Sequence, residues 1–269
     1  MIMSRLVPAL ADRALLIDMD GVLYRGETPV PGAREFVGYL QSQRIPHLFL
    51  TNNSDHTKPE LTDRLARMNI NVPADAMFSA ADATAGFLSR GGKTGTAYVI
   101  GGPGVRTALT EYNWRVIESQ TMPSETIDAV VVGEGVVLTA QSMAVASRLV
   151  ASGVPFYATN PDTRIPVGDS FIPGCKALYA GIEVATGKSP LVSGKPSPIM
   201  FGEGLKRIGA TADASVMIGD RLDTDVRGGI EMGMLTVLVL SGASRFDDIA
   251  RSPYQPDIVV ETIGQLVEN

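Results

Sequence analysis

Short apolar runs alternate with amphipathic stretches of helical length along most of the chain, and that alternation predicts an α/β fold. Runs at 14–18, 47–51, 96–101, 129–133, 155–159, 215–219, 236–240 and 257–260 read as strands. Several carry Val, Ile or Leu on both alternating positions, as strands of a parallel sheet covered on both faces do. Between them, 32–43, 58–68, 80–88, 139–152, 176–185, 198–208 and 223–232 read as helices. Leu61, Leu65 and Met68 show the spacing of one buried helix face. In Thr57-Lys58-Pro59-Glu60 a capping hydroxyl precedes a first-turn proline and a glutamate, a consistent helix start.

Turn residues break this pattern near 78–79 and at 187–190. The segment between, 79–189, holds strands and helices of its own. The expected architecture is therefore a doubly wound, Rossmann-like parallel-sheet core formed by 1–78 and 190–269, interrupted by an inserted α/β domain at 79–189. No internal repeat or low-complexity tract complicates this division.

Composition narrows the function classes without naming one. The 269-residue chain is 45% hydrophobic and 19% charged, an ordinary globular balance. Its formal net charge is −6 and its Lys and Arg are not clustered, which argues against nucleic acid as a partner. Residues 1–13 lack the apolar length of a signal peptide, and no stretch reaches about 18 uninterrupted apolar residues, so no membrane partner is expected. The one cysteine, Cys175, rules out an intrachain disulfide and suits a reducing, cytoplasmic setting.

Three apolar strands end in residues able to do chemistry. In Asp18-Met19-Asp20-Gly21 the two carboxylates lie on the same side of the chain, past the carboxyl end of a strand. A hard divalent cation would relieve their repulsion, although Asp and Gly also make ordinary solvated turns. Thr51-Asn52-Asn53-Ser54 follows the second strand and suits either an anion or a helix cap. Val216-Met217-Ile218-Gly219-Asp220 leads into Asp223 and Asp225, and three aspartates so close to one strand end favour a cation site. Ser193-Gly194-Lys195-Pro196 places a lysine on a loop between two breakers. No tetrahedral ligand spacing links His47, His56 and Cys175, which argues against zinc.

Taken together and in this order, Asp18/Asp20, Thr51, Lys195 and Gly219-Asp220-Arg221-Leu222-Asp223-Thr224-Asp225 resemble the four motifs of the haloacid dehalogenase-like phosphatase superfamily. Asp18 to Tyr24, Thr51-Asn52-Asn53-Ser54, Thr159-Asn160-Pro161-Asp162 and Gly194-Lys195-Pro196-Ser197-Pro198 are similar to the NagD-type, para-nitrophenylphosphatase-like subfamily. The long interval between Thr51 and Lys195 is where that subfamily inserts its α/β cap. Pro173-Gly174-Cys175-Lys176 departs from it, since a second glycine usually stands at the position of Lys176.

The resemblance implies a Mg²⁺-dependent phosphatase acting on a small phosphate ester. Asp18 would be the nucleophile, forming an aspartyl-phosphate, and Asp20 the general acid and base. Asp18, the Asp20 backbone carbonyl and Asp220 would hold Mg²⁺. Thr51, Asn52 and Lys195 would bind phosphate, Asp225 would act from behind the site, and Asp223 could simply cap a helix. The inserted domain would close over the site and choose substrates, with Asn160 and Asp162 reaching the leaving group. A homodimer also fits the subfamily. A phosphotransferase or mutase on the same fold is the alternative expectation. A dinucleotide enzyme is disfavoured, because Gly101-Gly102-Pro103-Gly104 lacks the required glycine spacing.

Overall fold

The computed structural model describes residues 5–135, 138–167 and 170–268. Two compact units divide the chain: Met1–Thr51, Pro59–Phe78 and Phe201–Asn269 form the first, and Asn52–Lys58 with Ser79–Met200 form the second.

The sheet of the first unit runs in the order Ile258–Val260, Leu235–Val239, Ser215–Gly219, Ala14–Asp18, His47–Thr51, Met77–Ser79. Its central strands pair in parallel, with Leu16 opposite both Leu48 and Met217. The Ala14–Asp18 strand is buried at every position, which explains its unbroken apolar sequence. Helix Ala33–Ser42 turns Ala33, Phe36, Val37 and Leu40 inward, the 3- and 4-residue spacing of a single stripe. Phe36 packs with Leu15, Ile17, Phe49, Ile218 and Val237 in one core cluster. Full burial of such a side chain contributes roughly 1.5–3 kcal/mol.

The second unit is built on another parallel sheet, in the order Leu191–Val192, Phe156–Ala158, Ala129–Val132, Thr96–Ile100, Arg115–Ile117. Its strands serve two cores. Ala97, Val99, Ala129 and Val131 join the Ala80–Leu88 side, while Tyr98, Ile100, Val130 and Val132 join the side of helices Ala140–Ala151 and Cys175–Thr186. This is the period-2 alternation of a strand with two apolar faces. Reciprocal caps open two of the helices, Ser79 with Asp82 and Thr139 with Ser142.

Most expected elements appear within a residue or two of their predicted limits. The exceptions have local causes. Helix Pro103–Glu111 was hidden behind Gly101-Gly102-Pro103-Gly104, which reads as a loop, yet the proline is simply its first-turn residue and Val105, Ala108 and Leu109 are its buried face. A hairpin pairs Arg164–Val167 with Ser170–Pro173 despite the prolines at 166 and 173, which argue against a strand interior. The expected helix 223–232 is instead a π-type turn over Leu222–Val226 followed by a short helix, Arg227–Met232.

Candidate active site

In the first unit the parallel register brings three strand ends to one edge. The strands Ser215–Gly219 and His47–Thr51 flank Ala14–Asp18, so Asp18, Thr51 and Asp220 emerge at the same, carboxyl-terminal edge. Asp18 is only 7% exposed, and its Oδ1 accepts the Met19 N–H at 2.8 Å. Thr51 is buried beside it in the sheet order.

Asp18, Asp220 and Asp225 bring carboxylate oxygens within 4.8 Å of one another, all three side chains being buried. Asp220 Oδ2 accepts the Ala243 N–H at 2.6 Å, and its backbone carbonyl accepts the Ser244 N–H at 3.0 Å. Asp225 reaches inward from the π-type turn, where its Oδ2 accepts the Arg221 N–H at 3.1 Å. Asp225 is fully buried within that turn.

Glycines make the approach possible. Gly21 has φ 80°, and a Cβ there would run into the Asp220 carboxylate. At Gly242 a Cβ would strike the same group. The turn after Asp18 is tied down by the Ser241 hydroxyl, which donates to the Gly21 carbonyl at 2.7 Å.

Asp20 is exposed, in contrast to Asp18, and forms an isolated bridge with Tyr24. The following hairpin is steadied by Arg64, whose guanidinium lies 4.6 Å from the Tyr24 ring centre and donates to the Gly26 carbonyl at 2.9 Å. Burial, aided by the nearby Asp20 and Asp18, pushes the Tyr24 phenol well above its ordinary range, against the pull of Arg64. Asp223 points elsewhere: it is exposed and receives two hydrogen bonds from Arg221, which hold its carboxyl below the usual range.

The second unit carries the remaining sequence-predicted residues, and they form one hydrogen-bonded set. Asn52 Nδ2 donates to Asp162 Oδ2 at 3.0 Å and to the Lys195 carbonyl at 3.1 Å, while its Oδ1 accepts the Lys195 N–H at 2.8 Å. Asn160 Nδ2 donates to the Asn52 carbonyl at 2.7 Å, and its Oδ1 accepts the Asp162 N–H at 3.1 Å. Lys195 is 3% exposed. The departure at Cys175 and Lys176 falls at the start of a helix. Cys175 Sγ lies within hydrogen-bond range of Thr159 Oγ1 and the Val132 carbonyl, and burial pushes its thiol up to about 11.

One member of this set was not foreseen. Glu134 follows the Ala129–Val132 strand and is buried, and its carboxyl accepts the Ser54 N–H at 3.1 Å. Val130-Val131-Val132-Gly133-Glu134 has the same form as the strands ending at Asp18 and Asp220, so the signal was present in the sequence.

Comparison with known proteins identifies the family. The haloacid dehalogenase-like hydrolase signature matches residues 15–115, and a second HAD-hydrolase-like signature matches residues 192–266. The chain is 36% identical to an acid sugar phosphatase of Staphylococcus epidermidis over 91% of its own length and 92% of that protein's. It is 38% identical to a dihydroxyacetone phosphatase of Corynebacterium glutamicum, over 94% and 90% of the two chains. The solved structure of NagD from E. coli K-12 superposes with a TM-score of 0.86 at 36% identity, covering 94% of this chain and 97% of that one. The chain belongs to the haloacid dehalogenase-like hydrolases, in their NagD-type branch, and is a phosphoric monoester hydrolase.

Proposed function

We propose that this enzyme hydrolyses a small phosphate monoester in the presence of Mg²⁺, by way of a phosphorylated Asp18. The observation that carries the reading is the buried group of Asp18, Asp220 and Asp225 at the carboxyl edge of a parallel sheet. Three carboxylates packed so closely repel one another, and an all-oxygen donor set suits a hard cation such as Mg²⁺. The residues fit the metal, with Asp18, Asp220 and the Asp20 backbone as its holders and Asp225 alongside. When bound, Mg²⁺ would supply positive charge that lets an anionic carboxylate meet an anionic phosphate.

In the first step an Asp18 carboxylate oxygen attacks phosphorus and the ester P–O bond breaks. The departing alkoxide takes a proton from Asp20, which is exposed to solvent and so open to a leaving group. In the second step water attacks the phosphorus of phospho-Asp18, its proton passes to the Asp20 carboxylate, and inorganic phosphate leaves with Asp18 restored. The phosphate-binding roles of Thr51, Asn52 and Lys195, and the leaving-group roles of Asn160 and Asp162, rest on the order of the motifs along the chain.

Phosphorylated sugars, three-carbon sugars among them, are the substrates we favour, since relatives are named for a sugar phosphatase and a dihydroxyacetone phosphatase. A cytoplasmic location suits such substrates and a single buried thiol; among the described residues no helix is long and apolar enough to cross a membrane. The test is phosphate release over a panel of such esters, with Mg²⁺ and with a chelator, for the native enzyme and Asp18→Asn. Turnover that survives the chelator, or survives Asp18→Asn, would refute the metal or the nucleophile respectively.

A further inference from the structure

Glu134 is a buried carboxyl for which the proposed chemistry has no use, and its surroundings suggest another role. It is 3% exposed, and its three kinds of polar atom are all engaged. Its N–H donates to Ser54 Oγ at 3.0 Å, its carbonyl accepts the Gly102 N–H at 2.6 Å, and its Oε2 accepts the Ser54 N–H at 3.1 Å. Ser54 Oγ continues to Thr159 Oγ1 at 2.8 Å. The Asn160 side chain lies close enough to the Glu134 carboxyl to favour its charged form.

These contacts make Glu134 a tie between two segments of the second unit. One is 52–54, which carries Asn52; the other is 159–162, which carries Asn160 and Asp162. Asn52 in turn grips the Lys195 backbone from both sides. We propose that Glu134 is a positioning residue for phosphate-ester hydrolysis, its carboxyl holding Ser54, and through it Thr159, so that Asn52, Asp162 and Lys195 keep their spacing. This rests on the phosphatase reading above.

The charge on Glu134 then matters. The groups facing it are Asp55 from the 52–58 segment, Asp162 from the loop after Phe156–Ala158, and the Cys175 thiol at the start of its helix. All are acidic. Packing there is tight, since a Cβ at Gly102 or at Gly135 would strike the Asp55 carboxylate. Burial is what most disfavours an ionised Glu134; the Ser54 N–H favours that form, and like charge on Asp162 and Asp55 opposes it. Burial raises its carboxyl to about 7, so the change of state falls at neutral pH. Although an ionised carboxylate accepts the Ser54 N–H more strongly, its burial without water costs more, so above neutrality the pocket opens to hydrate it, and substrate binding weakens as the segment loosens.

The experiment compares native enzyme with Glu134→Gln and Glu134→Asp, measuring kcat and KM for para-nitrophenyl phosphate with Mg²⁺ from about pH 5.5 to about pH 8.5. Dividing the variant's kcat/KM by the native value cancels the ester's own ionisation, near pH 6. Glutamine keeps the shape and never ionises, so this ratio is expected to climb several-fold above about pH 7, through KM more than kcat. Aspartate still ionises but its shorter arm misses the Ser54 N–H, so its KM is expected to rise several-fold across the whole range while circular dichroism shows native structure. Ratios flat in pH for Glu134→Gln, or an unchanged KM in folded Glu134→Asp, would overturn the assignment. Hydrolysis by the native enzyme combined with flat ratios removes only the role of Glu134, whereas no hydrolysis by the native enzyme with Mg²⁺ removes the phosphatase reading and this one with it.

Discussion

Substituting glutamine for Glu134 removes one titration and leaves the packing almost intact, so its effect on stability can be worked out in advance. Burial lifts the carboxyl from 4.5 to about 7; Ser54 and Asn160 pull it down, and Asp162 and Asp55 push it further up. In the unfolded chain the group returns to its ordinary range. Between these limits the folded protein binds the proton more tightly than the unfolded one, so Glu134 favours folding most below about pH 4.5. That contribution is lost as pH rises through about 7. At about 1.4 kcal/mol per pH unit the whole window is worth about 3 kcal/mol. Working no lower than about pH 5.5 avoids precipitation near the isoelectric point of about 5.0 and leaves about 2 kcal/mol up to pH 8. The chain's single tryptophan, Trp114, is buried in the core of the same unit, and its fluorescence reports that unit's unfolding in urea. Native protein should therefore lose about 2 kcal/mol relative to Glu134→Gln between the two pH values. Midpoints that move in parallel would show that Glu134 does not carry this proton.

Other substitutions test other parts of the structure. Gly242→Ala places a methyl on the Asp220 carboxylate and should weaken Mg²⁺ activation by tenfold or so, read from the Mg²⁺ dependence of turnover; an unchanged dependence would mean that Asp220 does not serve the cation. Lys58 joins the buried Asp82 at 3.0 Å and Glu111 beyond it, so Lys58→Met should cost about 2 kcal/mol in urea unfolding by leaving Asp82 without its cation. Asn160→Ala and Asp162→Ala should change the relative rates across a panel of phosphate esters more than they change the fold, and identical rank orders would exclude both from substrate choice.

How far the sequence could be read depended on whether a feature was local. The strands at Asp18, Thr51 and Asp220 were legible because each is an apolar run closed by polar residues, and parallel pairing then sends all three ends to one edge. Asp225 was harder. By spacing alone it belongs to a helix start, whereas in the structure it sits in a π-type turn over Leu222–Val226 with a carboxylate oxygen within 4.8 Å of those of Asp18 and Asp220. Gly102 and Pro103 concealed a helix because both residues are loop formers, and its buried face begins only at Gly104 and Val105. Asn52 and Asp162 lie 110 positions apart, and no local pattern announces their hydrogen bond. Glu134 was missed for a different reason: its strand-end signal was visible, but nothing local distinguished a buried acid from a solvated turn.

Cys175 has a practical consequence. Its thiol is fully covered, raised to about 11 and tied to Thr159, so in the intact unit it reacts slowly with disulfide reagents. Because it is also the only sulfhydryl in the chain, every molecule modified has opened at that spot. Labelling kinetics would thus count opening events one residue at a time, without introduced dyes or engineered cysteines. A phosphate ester that quiets the second unit would slow that clock, and one that leaves it loose would not.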